Sequence, residues 1–480
     1  MSIMKKSIVL FLLPFILSAV SCNGPDQLEQ LSPNTVRVLA DSATDPARAL
    51  FQYAHPAKTD PLPSPEPLPE SEQIKLSSPK AEKPQDRINL TSKQRDIIRS
   101  GNSFALRCLK ELGSETPDNL FFSPLSLSYA LAMVANGVEG TSRSEILEAL
   151  GLETGALDDL NAVCSILLKQ LPAVDTSVRI SAVDAMMVAD RYNVKDSFRK
   201  CLEGQYFAPV ESMPSQNQEK ILHRINEWVW RNTGGLVYPI VTREDITGTF
   251  VAAIMNTLYF KAPWKPVGTE KMPERLFNEN TQHILTDFYL DGGGSTKHEF
   301  MNSNPDTLPY AKRDGYQAVA IPYGNGRFRM LLLLPDEVGG NGLAWLRDKM
   351  DLGEWTAIHN ALTTDWANVF LYIPKFSVFG EYRMNDLLQA LGIRSPFRPS
   401  GDFSAMFEES SQVYLNKVLQ KARIFVSEWG TEAGTVTLAG MADAYNSFLK
   451  TVQVRADHPF LFVIEEETSG AILFAGEFCK

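Results

Sequence analysis

Few residues of this 480-residue chain have the type and spacing that catalysis requires. The histidines and cysteines form no HExxH or CxxC motif, and no GxSxG elbow, Walker loop or GxGxxG after a strand occurs. Asp457 and His458 could form a proton relay, but adjacent residues of a strand point to opposite faces. The sequence therefore predicts no enzyme, no metal site and no cofactor.

The five cysteines are irregularly spaced, which does not favour a zinc site or a disulfide scaffold. The last four, Cys108, Cys164, Cys201 and Cys479, are predicted to be buried small side chains. A disulfide among them is the alternative. Cys22 lies in a different context, described below.

An unusual segment follows a predicted strand, 418–426, near the C-terminus. Within it, every second residue is small: Thr431, Ala433, Thr435, Thr437 and Ala439. A period of two places these residues on one face of an extended chain, where small side chains leave room to enter a crowded sheet. The pattern predicts a loop that is able to become a strand.

The N-terminus has the pattern of an export signal. Lys5 and Lys6 precede a short apolar run that ends in small residues and Cys22. This run resembles a bacterial lipobox, which implies a signal peptide over 1–21 and lipid chains on Cys22. The alternative is an ordinary signal peptide cleaved near Ser21, with Cys22 as a spare thiol. Several buried acyl chains give a durable membrane anchor.

Residues 22–90 are predicted to be a tether and residues 91–480 one folded domain. The tether is rich in proline and lacks apolar periodicity, which is typical of a semi-rigid spacer. Helical periodicity begins near residue 97, and long apolar strands without strict βαβ alternation indicate an α+β domain. The net charge of −11 and the lack of a dense basic run argue against nucleic acid as a partner.

Five motifs of the domain, in this order, resemble those of the serpin family. They are Phe122–Ser126, Asn256–Trp264, Ile373–Phe376, Gly430–Thr435 and Ala456–Phe462. The resemblance extends over nearly all of 91–480. It implies a serpin fold with three β-sheets, eight or nine helices and an exposed reactive-centre loop at about 430–450.

The resemblance also assigns roles to individual residues. The hinge of the loop would comprise Gly430, Thr431, Glu432, Ala433, Gly434 and Thr435. Ser123, Ser126 and Asn256 resemble the polar shutter beneath the opening strands, and Trp264 resembles the aromatic residue of the breach, where the loop enters. Ordinary core packing is the alternative for these four. Gln420 stands where the family usually has a shutter histidine, so the pH sensitivity of that histidine is expected to be lost.

The function implied by the resemblance is suicide inhibition of serine proteases. After cleavage, the loop inserts into the main sheet and traps the acyl-enzyme. The alternative is a non-inhibitory serpin that acts as a binding protein or chaperone. We expect a monomer in the cell envelope, lipid-anchored to the outer membrane and facing the periplasm or the outside. No activation by heparin is expected, because 152–170 carries acidic residues and a single lysine.

The position of the scissile bond can be predicted from family spacing. Counting from Gly430 places the acyl side at Ala444 and the bond at Ala444–Tyr445. A small alanine suits the specificity pocket of elastase-like or subtilisin-like proteases, which are the first expected targets. Tyr445 would suit chymotrypsin-like proteases, which are the second. We expect mass spectrometry of the loop, after reaction with a protease panel, to locate the cut there.

A shifted register would give a different result. A cut after Asp443 would indicate an Asp-specific protease and a shift of one residue. Trypsin would need Lys450, which lies too near the following strand to be presented. Stable trypsin complexes cut after Lys450, or no cut between Asp443 and Asn446 by any inhibited protease, would contradict the prediction.

Overall fold

The computed structural model describes residues 83–480, except 117, 215, 233–238, 244, 246–250, 270–271, 275, 279–284, 409–412 and 432–447. The predicted lipidation site Cys22, hinge residues 432–435 and the Ala444–Tyr445 bond lie outside the described residues.

Nine α-helices occur in the described part of the chain, which agrees with the eight or nine expected. They are α1 (Ser92–Glu115), α2 (Pro124–Gly137), α3 (Gly140–Ala149), α4 (Leu157–Gln170), α5 (Asp196–Cys201), α6 (Gln218–Asn232), α7 (Gly342–Lys349), α8 (Leu352–Thr364) and α9 (Asn385–Ala390). A π-helical turn, Leu202–Tyr206, follows α5.

Two helix starts show how the local sequence sets these bounds. Thr91 and Gln94 form a reciprocal capping box at the start of α1. Ser123 caps α2 by accepting a hydrogen bond from the Ser126 amide, and Pro124 occupies the first helical turn, where no amide donor is needed.

Eighteen strands are present in the described residues. They are β1 (Leu120–Phe122), β2 (Arg179–Ala189), β3 (Val210–Met213), β4 (Ala252–Pro263), β5 (Val267–Thr269), β6 (Met272–Glu274), β7 (Leu285–Tyr289), β8 (Ser295–Asn302), β9 (Asp306–Arg313), β10 (Tyr316–Tyr323), β11 (Phe328–Pro335), β12 (Trp366–Pro374), β13 (Phe376–Arg383), β14 (Leu419–Ser427), β15 (Gly430–Thr431), β16 (Thr451–Arg455), β17 (Phe460–Glu466) and β18 (Ala471–Phe478).

The strands form three sheets, as expected. The main sheet has six strands in the order β13-β14-β15-β4-β2-β3. A ten-stranded sheet runs β1-β18-β17-β11-β10-β9-β12-β8-β7, with β16 paired to β12, and β5 and β6 form a small third sheet. The chain leaves the ten-stranded sheet at Pro374, the last residue of β12, and enters the main sheet at Phe376, the first residue of β13.

The folded body begins before residue 91. Ile88 is completely buried in the hydrophobic core, although the sequence placed it in the tether. Its amide donates to the Thr468 hydroxyl, and the Gln85 amide donates to the Ala173 carbonyl. The last residues of the predicted tether are therefore part of the packed domain. No helix in the described part of the chain is long and apolar enough to span a membrane.

Candidate functional site

The site of interest is a slot between β14 and β4 in the main sheet. No backbone pairing joins these strands directly along their described residues, and only the two-residue β15 lies between them. Below β15, a cavity of about 760 Å³ is lined by both strands and by α2. Beyond β15, the slot therefore leaves two strand edges that face each other with no partner strand among the described residues.

Gly430 and Thr431 close one end of the slot. Thr431 pairs with Val426 on one side and with Ala262 on the other, both in antiparallel register. Gly430 has a φ of +136°, and a Cβ there would collide with the Ala262 carbonyl oxygen and approach the Pro263 Cα to 2.7 Å. Only glycine fits both the dihedral angle and the space.

The Thr431 side chain is already buried, with 3 % of its surface exposed. Its hydroxyl shares a 2.6 Å hydrogen bond with the Tyr323 hydroxyl. The Tyr323 ring stacks on Trp264 with centroids 4.4 Å apart, and the Trp264 indole donates to the Ser427 carbonyl at 2.8 Å. Trp264 therefore lies at the entrance of the slot, next to Thr431 and the end of β14.

An ion-pair cluster ties this entrance to the ten-stranded sheet. The Lys375 ammonium lies 3.0 Å from a Glu299 carboxylate oxygen and 2.5 Å from one of Glu428. Burial disfavours the charged ammonium, but the two glutamates outweigh that effect and raise the pKa of Lys375. Glu428 lies in the turn from β14 to β15, so the cluster holds this turn in place.

The predicted shutter residues meet beneath the middle of the slot. The Ser123 hydroxyl donates to the Leu473 carbonyl at 2.8 Å and accepts from the Ser126 amide at 3.1 Å. The Ser126 hydroxyl in turn donates to Asn256 Oδ1. Because Ser126 lies on α2 and Asn256 on β4, this bond fixes the strand to the helix below it.

Gln420 bonds to the backbone of Ser123 through both ends of its side-chain amide. Its Oε1 accepts from the Ser123 amide at 3.1 Å, and its Nε2 donates to the Ser123 carbonyl at 2.9 Å. Gln420 lies on β14 and is 9 % exposed. The second edge of the slot is therefore also tied to the start of α2.

Asp184 joins this network, and sequence analysis missed it. Its Oδ1 accepts from Asn256 Nδ2 at 2.5 Å, and the residue is 1 % exposed. Burial raises the pKa of Asp184 to about 7, against the opposing effect of the Asn256 hydrogen bond. A carboxyl group in the middle of an otherwise apolar strand was the available signal.

The expected separation of Asp457 and His458 is wrong. His458 Nδ1 lies 3.0 Å from Asp457 Oδ1, because both residues are in a bend before β17, not in a strand. His458 Nε2 faces the Pro335 carbonyl at 2.8 Å. Burial opposes ionisation of Asp457, but hydrogen bonds from His458 and Arg455 hold its pKa below the usual value. Both partners are buried and tied to the backbone or to Arg455, so the pair is a structural contact.

The four cysteines among the described residues are free, as predicted. In the same part of the chain, no group of histidine, cysteine, aspartate or glutamate side chains could hold a metal ion. Cys108 and Cys164 are buried, whereas Cys201 and Cys479 are half-buried. Burial raises the pKa of Cys201 to about 11 and that of Cys479 to about 12. It also raises the pKa values of the Cys108 and Cys164 thiols far above the ordinary range.

Comparison with known sequences agrees with this geometry. A family model described as "Serpin (serine protease inhibitor)" matches residues 99–480. The chain belongs to the serpin family. Serpin-Z4 of Hordeum vulgare is 30 % identical over 389 residues, which cover 78 % of this chain and 93 % of the relative. Human Serpin B11 is 28 % identical over 396 residues, with coverage of 78 % and 96 %.

Solved serpin structures have the same fold. The Arabidopsis AtSerpin1 in its native stressed conformation superposes with a TM-score of 0.68 at 24 % identity, covering 82 % of this chain and 99 % of that one. Human thyroxine-binding globulin, solved with thyroxine, superposes with a TM-score of 0.69 at 22 % identity, covering 80 % and 98 %. Members of the family are in general inhibitors of serine proteases, not catalysts.

Replacement of Gly430 by alanine tests the steric constraint at the slot entrance. We expect Gly430→Ala to lower the free energy of unfolding by about 1–3 kcal/mol from the dihedral strain alone, with a further loss from the collision with β4. Gly392→Ala is the matched control, because Gly392 has a φ of +103° but open space around its Cβ position. If thermal or denaturant unfolding shows equal losses of unfolding free energy in the two variants, a collision with β4 at position 430 is contradicted.

Proposed function

We propose that this serpin inhibits serine proteases by inserting its cleaved reactive-centre loop into the slot between β14 and β4. The observation that carries the proposal is the position of Gly430 and Thr431, which already pair with both strands. β15 runs antiparallel to β4, so a continuing strand would follow β4 from Ala262 towards Ala252. That edge is about 33 Å long at ~3.3 Å per residue.

The burial of Thr431 supports insertion of the alternate small residues. Since side chains of a strand alternate between faces, residues 433, 435, 437 and 439 would point to the same side as Thr431. That side faces the interior, where Thr431 meets Tyr323. Alanine and threonine at these positions would enter without displacing the core. The protease, attached through its acyl bond, would then be carried across the body and deformed before deacylation.

The target and the location of the inhibitor are part of the proposal. Ala444 at the acyl side favours elastase-like or subtilisin-like proteases, with chymotrypsin-like proteases second. Lipid chains on Cys22 and the proline-rich segment after it would hold the domain at a membrane of the cell envelope. Activation by heparin is not proposed, because the first turn of α4 carries Asp158 and Asp159, and Asp159 pairs with Lys93.

A binding protein without inhibitory activity is the competing function, and human thyroxine-binding globulin has the same fold. The two functions differ in whether the cleaved loop inserts and traps the protease. An inhibitor forms a covalent complex that survives a denaturing gel, whereas a binding protein is only cleaved or left intact.

Thr431→Arg tests whether the strand that already begins at the slot entrance is needed for insertion. The arginine would have to occupy, before and after cleavage, the position where the threonine is 3 % exposed, at a cost on the order of several kcal/mol for an unpaired buried charge, so residue 431 would no longer start the inserting strand. We expect the variant to be cleaved as a substrate, with no stable complex on a denaturing gel. Thr451→Arg is the control, because Thr451 is exposed at the other end of the loop, and it should still form complexes. Full inhibition by Thr431→Arg would exclude the proposed mechanism.

Cleavage of the loop should stabilise the protein. Nicking by a non-target protease would free the segment after Thr431 to pair with both edges of the slot, which adds ladder hydrogen bonds and buries the cavity walls. We expect the thermal midpoint of the wild-type protein to rise by tens of degrees after nicking. Nicked Thr431→Arg should gain much less, and an unchanged midpoint in the wild-type protein would favour the binding protein.

A further inference from the structure

Asp184 is a buried carboxyl group with only half of its hydrogen-bonding capacity used within the protein. Oδ1 accepts from Asn256 Nδ2, whereas Oδ2 has no hydrogen-bond partner among the described residues. The two residues are direct cross-strand partners on β2 and β4. Met186 and Val188, on the same face of β2, pack into the large core, so Asp184 points into the protein and not to solvent.

The titratable groups that face Asp184 do not offer it a positive charge. They are Tyr129 on α2, Cys164 on α4 and Tyr206 in the π-helical turn, and the charge of Asp184 contributes to raising the pKa of each. Burial raises the pKa of all three well above neutrality, so they remain uncharged there. Asp184 is thus the group of this cluster that changes charge near neutral pH, since its own pKa is raised to about 7.

The charge of Asp184 acts on the slot through two hydrogen bonds. Asn256 donates to Asp184 and, with its oxygen, accepts from the Ser126 hydroxyl on α2. Asn256 and Ser126 both line the slot cavity. A carboxylate strengthens the bond from Asn256, and a bond to a charged acceptor is about twice as strong as a neutral one. Ionised Asp184 therefore fixes the orientation of the amide and, with it, the attachment of β4 to α2.

We propose that Asp184 is a proton-operated latch on the slot: the carboxylate holds β4 against α2, and the protonated acid releases β4 so that a strand can enter. The inference rests on the proposed insertion mechanism and adds regulation by pH to it.

Protonation weakens the hydrogen bond from Asn256. A proton taken up from solvent binds at Asp184 Oδ2, so Oδ1 becomes a neutral acceptor and the bond that it accepts from Asn256 Nδ2 is about half as strong. The Asn256 amide is then held less firmly, and the tie from α2 to β4 through Ser126 is weakened. The proton is bound at the carboxyl group throughout, and no covalent bond other than O–H forms.

Strand entry and protonation favour each other. A strand in the slot removes water from beside Asn256, which makes the charged carboxylate less favourable still. Insertion then takes up a proton, so by linkage it is favoured as the pH falls through the neutral range. The weaker hydrogen bond between Asn256 and protonated Asp184 acts in the same direction, so both effects predict faster insertion in mild acid.

The test uses insertion without a protease, because proteases titrate in the same range. A synthetic peptide with the sequence of residues 432–444, which leaves Thr431 of the protein in its place, is incubated with the full chain between pH 5.5 and 8.5, and its incorporation is followed by native mass spectrometry. For the wild-type protein, we expect the rate to fall at least threefold between pH 6 and pH 8, with a slope of at most about tenfold per pH unit for a single proton.

Two variants assign the effect to Asp184. Asp184→Asn carries no titrating proton, so its insertion rate should be independent of pH over this range. Glu466→Gln is the matched control, because burial also raises the pKa of Glu466, which lies in the turn with Ser469. Its pH profile should follow that of the wild type.

The outcomes separate this inference from the proposed function. Insertion at a rate that does not change with pH in the wild type, or a pH dependence that persists in Asp184→Asn, would overturn the latch and leave the insertion mechanism intact. Failure of the peptide to insert at any pH would overturn both. If Asp184→Asn does not fold, loss of the pH dependence in Glu466→Gln would overturn the latch, and its retention beside the wild-type profile would support it.

Discussion

Within the described part of the chain, the facing edges of β4 and β14 have no partner strand beyond β15, and the surrounding contacts depend on this gap. Main-chain amides and carbonyls in the middle of a sheet need partners, and an edge that lacks them is a template for another strand. The entrance cluster around Trp264 fixes where a strand would start. The shutter bonds of Ser126 and Gln420 connect both edges to α2 and so limit how far the slot can open. A sheet held in this way can be stable for a long time without being in its most stable arrangement.

Much of this arrangement could be predicted from the sequence. The apolar periodicity of the helices and the apolar residues of β4 and β14 are local patterns, which a single sequence contains. Trp264, Asn256 and the two serines were found because they lie inside recognisable motifs, and the structure places all of them beside the slot. The alternation of small residues indicated a loop that is able to become a strand, and its first member, Thr431, is buried.

The rest depends on contacts between residues far apart in the chain. Ile88 follows a proline-rich segment, and nothing local indicates that a turn 380 residues later covers it. Tyr323 and Lys375 act at the slot entrance only because separate sheets meet there. Asp184 looked like an ordinary strand residue, because its unusual proton affinity comes from three-dimensional burial. The pairing of Asp457 and His458 was missed for a local reason, since a bend was taken for a strand.

The state of the cysteines has a consequence for redox chemistry. A thiol exchanges with disulfides only as the thiolate, and a pKa of about 11, as at Cys201, leaves about one molecule in ten thousand in that form at pH 7. The fraction is smaller still for Cys479, and Cys108 and Cys164 are also shielded by burial. An inhibitor exported into an oxidising compartment would therefore keep these thiols reduced, not by a reductant but by the slowness of their exchange. Its sheets could then move without being cross-linked at any of these four positions.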